Sequence, residues 1–127
     1  MPISITTGCF YLNVEVFSGD TLDNWSIKFI DNAGDPYDIT LIDFYYTVKE
    51  DISDLDSEAV LNKGPADATK TDSGSGTTDT VAFNLSSAET SINPKTYYHS
   101  MKVMIGTDER TWMTGKLVVL PRRIDTI

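Results

Sequence analysis

Asp31, Asn32, Asp35 and Asp38 crowd into the stretch FIDNAGDPYDIT, and Glu50, Asp51, Asp54, Asp56 and Glu58 into EDISDLDSE. Clustered carboxylates are the raw material of a calcium site, because that ion gathers oxygen ligands from several side chains at once. Asp31, Asp35 and Asp38 form one candidate set; Asp54, Asp56 and Glu58 form a second. Each has a plainer reading. Gly34 and Pro36 interrupt the first set, its spacing departs from the EF-hand loop with its terminal Glu, and Asp at the end of a turn bonds its own backbone. The second set has no Gly to bend the chain around an ion. Such acidic runs solvate a surface and discourage edge-to-edge strand pairing, or offer a patch to a basic neighbour. Turn chemistry and surface charge are therefore expected, with no metal and no other cofactor.

Nucleophilic chemistry has even less to work with. The chain has one His, His99, and one Cys, Cys9. A nucleophile needs a positioned base, so only a Cys9–His99 pair or a Ser-His-Asp set would serve. The Gly-x-Ser-x-Gly elbow is missing, Cys9 opens a strand, and His99 is expected at a sheet rim. SGSGTT lacks the Lys of a phosphate-binding loop and reads as flexible chain. No catalytic residues are expected. A single Cys also rules out an intrachain disulfide and fits assembly in a reducing cytoplasm.

The elements that carry these residues are strands. The 127 residues suit one domain, and 40% apolar content with two Trp, six Tyr and five Phe is enough for a folded core. A net charge of −9 with scattered cations argues against nucleic acid as a partner. No window approaches the length of a membrane span, and the amino-terminal stretch lacks the charged and apolar regions of a signal peptide. The dominant period is two. Phe10, Leu12, Val14 and Val16 alternate in CFYLNVEVF, as do Trp25, Ile27 and Phe29 in NWSIKFI, and Ile42, Phe44, Tyr46 and Val48 in LIDFYYTVK. EAVLNK and VAFNL give shorter strands. Residues 64–80, rich in Gly, Ser, Thr and Asp, read as a flexible loop or a poorly packed edge. Ser86 and Glu89 have the spacing of a capping box and predict one helical turn. TYYHSMKVMIG sets Tyr97, Met101, Val103 and Ile105 on one face; RTWMTGKLVVL sets Met113, Leu117 and Val119 inward and Trp112, Thr114 and Lys116 outward. About seven strands and one helical turn predict an all-β antiparallel sandwich. Residues 1–9 and 121–127 are expected to be terminal extensions that the sandwich does not need and that make extra contacts, Arg122 and Arg123 among them.

Two sets of aromatics are singled out. Tyr97 or Tyr98, opening the strand after the helical turn, stands where sandwiches place a tyrosine corner. Tyr45 and Trp112 point outward by alternation, as anchors of an interface or platforms for sugar rings.

The order of motifs resembles the immunoglobulin-like module of bacteriophage tail and baseplate proteins, in particular the amino-terminal domain of baseplate upper proteins. The positions that carry the resemblance are Gly19-Asp20-Thr21, Asp31 with Gly34 and Pro36, Leu85-Ser86 with Thr90, Tyr97 or Tyr98, and Gly115 with Val118 or Val119. They extend over residues 17–120. The family often has Asp directly after the Tyr, where this chain reads YYHS. The resemblance implies an immunoglobulin-like sandwich acting as a non-enzymatic virion subunit of a tail, baseplate or neck. Such a subunit is made in the host cytoplasm and assembles with itself and with other phage structural proteins; no receptor-binding role carries over. Two rivals stand beside it: a carbohydrate-binding sandwich using Trp112 and Tyr45, and a calcium-dependent adhesion module using the aspartates.

Overall fold

The computed structural model describes residues 2–6, 10–23 and 25–121, with the backbone alone for residues 2–6. Among the described residues there are ten strands: β1 (Pro2–Thr6), β2 (Phe10–Tyr11), β3 (Val14–Phe17), β4 (Ser26–Ile30), β5 (Asp43–Lys49), β6 (Leu61–Lys63), β7 (Ala68–Asp72), β8 (Thr78–Phe83), β9 (Lys95–Ile105) and β10 (Asp108–Leu120). One sheet runs β1-β4-β8-β7. The other runs β2-β10-β9-β5-β6, with β3 also on β10. The order β4-β8-β7 against β10-β9-β5-β6 is the B-E-D against G-F-C-C′ order of an immunoglobulin-type sandwich. The inner pairs are antiparallel, as the alternation implies. The outer additions are not: β1 pairs with β4, and β2 and β3 with β10, in parallel. β1 lies in the segment expected to be an extension outside the sandwich, and the structure instead gives it a place in a sheet.

Period-two patterning places the core. Trp25, Ile27 and Phe29 from β4 and the turn before it face Phe44, Tyr46 and Val48 of β5, with Val81 and Phe83 of β8 beside them. Two groups of rings share the interior. Trp112 sits 5.2 Å from Phe29 and 6.2 Å from Phe44, and Tyr46 sits 5.6 Å from both Trp25 and Phe83.

One expectation fails at Trp112. Its side chain is 5% exposed, so it faces the core and not solvent. The register between β9 and β10 shifts between Thr111 and Met113, so Trp112 is an extra residue on its strand. A bulge of this kind re-aims side chains, and Trp112 and Met113 both turn inward. Alternation counted back from Leu117 cannot see this, although two adjacent large apolar residues between polar ones are its signature.

Of the two forms expected of residues 64–80, a flexible loop or a poorly packed edge, the structure shows an edge strand. These residues contain β7, the start of β8 and a tight connection between them. Asp72 Oδ1 accepts from the backbone N–H groups of Gly74 (2.8 Å), Ser75 (2.8 Å) and Gly76 (3.1 Å). Asp79, with no exposed surface, accepts from the Ser73 N–H and from the hydroxyls of Ser73, Ser75 and Thr80. Gly, Ser and Asp are therefore the parts of an ordered hairpin on the sheet edge.

At one end of the sandwich the helical turn α1 (Ser87–Thr90) carries the capping box read from the sequence: Ser86 N–H donates to Glu89 Oε1 (2.9 Å) and Glu89 N–H to Ser86 Oγ (3.2 Å). Thr90 Oγ1 donates to the Asp20 carbonyl (2.6 Å), and Gly19 N–H to the Thr90 carbonyl (3.3 Å). Tyr97 Oη donates to the Asn93 carbonyl at 2.7 Å, forming the tyrosine corner.

These placements separate two substitutions that alternation treats alike. Trp112→Ala is expected to cost about 3–5 kcal/mol in urea unfolding, while Tyr45→Ala, on the half-exposed outer face, costs far less. Equal losses would refute the bulge. Tyr97→Phe is expected to cost about 1 kcal/mol by removing one hydrogen bond.

Candidate interaction face and the histidine beneath it

The carboxylates are resolved first. Asp31 Oδ1 accepts from the N–H groups of Ala33 and Asp35, both at 2.9 Å, in a turn where Gly34 has φ +85°. Asp38 Oδ1 accepts from the Thr40 N–H and hydroxyl, and these bonds hold its carboxyl below the usual range. Asp51 accepts from Ser53, and Asp54 and Glu58 accept from the N–H groups of Asp51 and Leu55. Asp56 lies 2.8 Å from Lys49 Nζ and 3.2 Å from Lys102 Nζ, and those ammonium groups hold its carboxyl low. Among the described residues no three His, Cys, Asp or Glu side chains converge as metal ligands. The carboxylates shape turns and pair with lysines.

Strand alternation then sets the outer face of the six-stranded sheet. One row across it is Tyr11, Thr114, Ser100, Thr47 and Asn62, all in register. Lys116, Tyr98 and Lys49 form the next row on one side, and Thr111, Lys102 and Tyr45 the next on the other. Small hydroxyl residues thus form a trough between two ridges that carry tyrosine and lysine. A groove of about 550 Å³ lies on the Tyr45 side, lined among others by Asp56, Asn62, Lys102, Met104 and Glu109. A hollow of about 200 Å³ lies on the other, lined by Tyr11, Lys49, Ile52 and Tyr98. Of the four expected interface residues, Tyr45 lies on this face, Trp112 is in the core, and Arg122 and Arg123 fall outside the described residues, as does Cys9.

His99 is the residue whose place sequence reasoning misjudged most. It is not at a rim: its ring is 2% exposed. Alternation already put it in phase with Tyr97 and Met101. Its Nδ1 lies 2.8 Å from Tyr46 Oη and its Nε2 2.8 Å from the Leu12 carbonyl oxygen. A carbonyl only accepts, so Nε2 carries the proton and Nδ1 accepts from the Tyr46 hydroxyl. Burial pushes the Tyr46 hydroxyl far above its ordinary range, so it keeps the proton it donates. Both ring nitrogens are thereby committed, and His99 has no lone pair to offer a nucleophile.

Gly115, the register partner of His99 on β10, makes this possible. A Cβ there would stand 1.8 Å from the Leu12 carbonyl oxygen. The glycine opens a window through which Leu12 reaches the imidazole. Leu12 N–H donates to the Thr114 carbonyl (2.9 Å), and Asn13 Oδ1 accepts from Lys116 N–H (2.9 Å). The break between β2 and β3 is thus a crossing pinned on both sides.

Burial holds the His99 imidazole below its ordinary pKa, and the bond to Leu12 opposes that only in part. The described residues contain no helix long and apolar enough to cross a membrane. No family model matches the chain, and no curated protein matches it.

A proton on His99 has a definite sign for stability. The unfolded chain binds it below about pH 6.5 while the native state resists, so stability is full above that pH and falls as the pH drops, by up to about 1.4 kcal/mol per unit. The bonded carboxylates, whose native values are lowered, lose their contribution only below their ordinary range near pH 4. Urea midpoints between about pH 7 and pH 5 should fall for the wild type and stay flat for His99→Gln; an unchanged slope in the variant would exclude His99 as the source. Gly115→Ala should cost more than a surface substitution, because either Leu12 or β10 must move. A variant as stable as the wild type would contradict the close approach.

Proposed function

We propose that the chain is a non-enzymatic structural subunit of a phage or prophage particle, in its tail, baseplate or neck. In this reading it is made in the host cytoplasm and ends in the virion. It assembles with copies of itself and with other particle proteins through the outer face of the six-stranded sheet and the loop that rims it.

The observation that carries this reading is the presentation of apolar side chains by an ordered loop. Ile52 and Leu55 are 74% and 67% exposed, and Tyr11 is 57% exposed on the adjoining strand edge. The side chains of Asp51, Asp54 and Glu58 cap the backbone of the same loop, so Ile52 and Leu55 are held outward by fixed chain. Tyrosine and large aliphatic groups on a preformed surface lose little entropy on docking and bury much area. The motif positions on which the resemblance to phage modules rests add support. Gly19, Asp20 and Thr90 meet beside the capping box at Ser86, near the tyrosine corner at Tyr97. Each has a backbone-fixing task, as expected of a fold signature and not of a catalytic one. Closed symmetric rings are the usual outcome when one such subunit repeats.

Mass spectrometry of density-purified particles, induced from the organism that encodes the chain, tests the reading. The chain should co-purify in constant ratio to the other tail proteins, and Ile52→Asp with Leu55→Asp should remove it from particles while leaving the fold intact. Particles that lack the chain, in a lysate that contains it, would overturn the proposal.

A further inference from the structure

We propose that the groove between β5, β6 and β9 is a binding site for a neutral oligosaccharide, a role that goes beyond the assembly reading and is centred on another part of the same sheet face than Ile52 and Leu55. Tyr45 on β5 and Met104 on β9 are diagonal neighbours across the strand pair, since Tyr45 pairs with Lys102 and Asp43 with Met104. Both are half-buried and both line the groove. They give its lining an apolar strip of the kind on which the C–H face of a sugar ring packs.

Polar groups stand beside that strip, already fixed. Lys102 Nζ lies 2.8 Å from Glu109 Oε1 and 3.2 Å from Asp56 Oδ2, and Asp56 is pinned again by Lys49 at 2.8 Å. Asn62 Nδ2 donates to the Asp56 carbonyl at 3.0 Å, which orients its amide oxygen away from that bond. The Asp56 and Glu109 side chains keep 59% and 56% of their surface exposed, so their oxygens can still accept from a ligand. Carboxylate, amide and ammonium side by side match a ligand whose every hydroxyl both donates and accepts.

Charge selects the class. Around the groove Asp56 and Glu109 pair with Lys49 and Lys102, and Lys63 pairs with Glu89 at 2.7 Å, so the charges there offset one another, while the whole chain carries −9. A polyanion is repelled by the chain and by both carboxylates, and a cation must compete with lysines already in place. A neutral polyhydroxyl ligand meets neither cost. Grooves of this volume lie within the range of small-ligand sites.

The test is a printed array of neutral hexose and N-acetylhexosamine oligosaccharides beside sialylated, sulfated and peptide probes, followed by calorimetry with the best neutral glycan. Saturable binding to neutral glycans is expected, weakened at least about tenfold by Tyr45→Ala, weakened by Asn62→Ala, and unchanged by Ile52→Asp. Thermal melts establish that each variant folds, and Asn62, an exposed residue, serves where Tyr45→Ala is compromised. A blank array, binding to anionic glycans alone, binding to a peptide through Tyr45, or glycan binding indifferent to both groove variants would each overturn the proposal. Particles that carry the chain while the array stays blank would overturn the groove alone and leave the assembly reading standing.

Discussion

The Leu12 carbonyl passes through the side-chain space that Gly115 leaves vacant and ends on the buried imidazole of His99, which holds Tyr46 in turn. The seating of two strands of one sheet depends on this contact. Leu12 is the point at which β2 gives way to β3, so the contact fixes where both short strands lie along β10 and how far Tyr11 stands out on the outer face. On the inner side it anchors Tyr46, whose ring packs against Trp25 and Phe83 from the other sheet. Immunoglobulin domains that carry an inter-sheet disulfide tie their layers covalently. With a single Cys this chain has no such bond; a hydrogen-bonded column of carbonyl, imidazole and phenol runs across the strands of one sheet, and only its Tyr46 ring reaches the other layer. A buried polar column of this kind is favourable only while every member is satisfied, which makes the pairing specific as well as stabilising.

Much of this architecture was legible in the residues. Alternation in NWSIKFI and LIDFYYTVK gave the inward faces of β4 and β5 correctly, because both strands are regular and half-buried. The capping box at Ser86 and Glu89 and the corner at Tyr97 were legible because each depends on local spacing. What stayed hidden depends on chain that is distant in sequence. The bulge at Trp112 is set by pairing with β9 and inverts the phase of one residue. The burial of His99 requires a carbonyl 87 positions away, and no window of sequence contains both. At residues 64–80 composition fits a loop and an edge alike: the Gly, Ser and Asp that suggest looseness are also the residues that Asp72 and Asp79 need to build a hairpin end.

The surface follows from the same division of labour. Inward positions are spent on rings and aliphatics, so whatever docking the chain does falls to outward positions and to the loops. There the acidic residues that first suggested a metal instead brace backbone and pair with lysines. They leave two kinds of surface: an apolar rim at Ile52 and Leu55, suited to protein contacts, and a neutral, pre-ordered groove at Tyr45, suited to a polyhydroxyl ligand. Ile52 and Leu55 do not line the groove, so the rim can be substituted without removing a groove side chain.

Nitrogen-15 spectroscopy of the His99 ring addresses the central contact most directly. The arrangement predicts one neutral tautomer with the proton on Nε2, a strongly shifted and slowly exchanging Nε2–H, and titration displaced below the ordinary imidazole value of about 6.5. An imidazole that titrates near that value with averaged nitrogen shifts would mean that His99 is solvated, and the column through Gly115 would not exist.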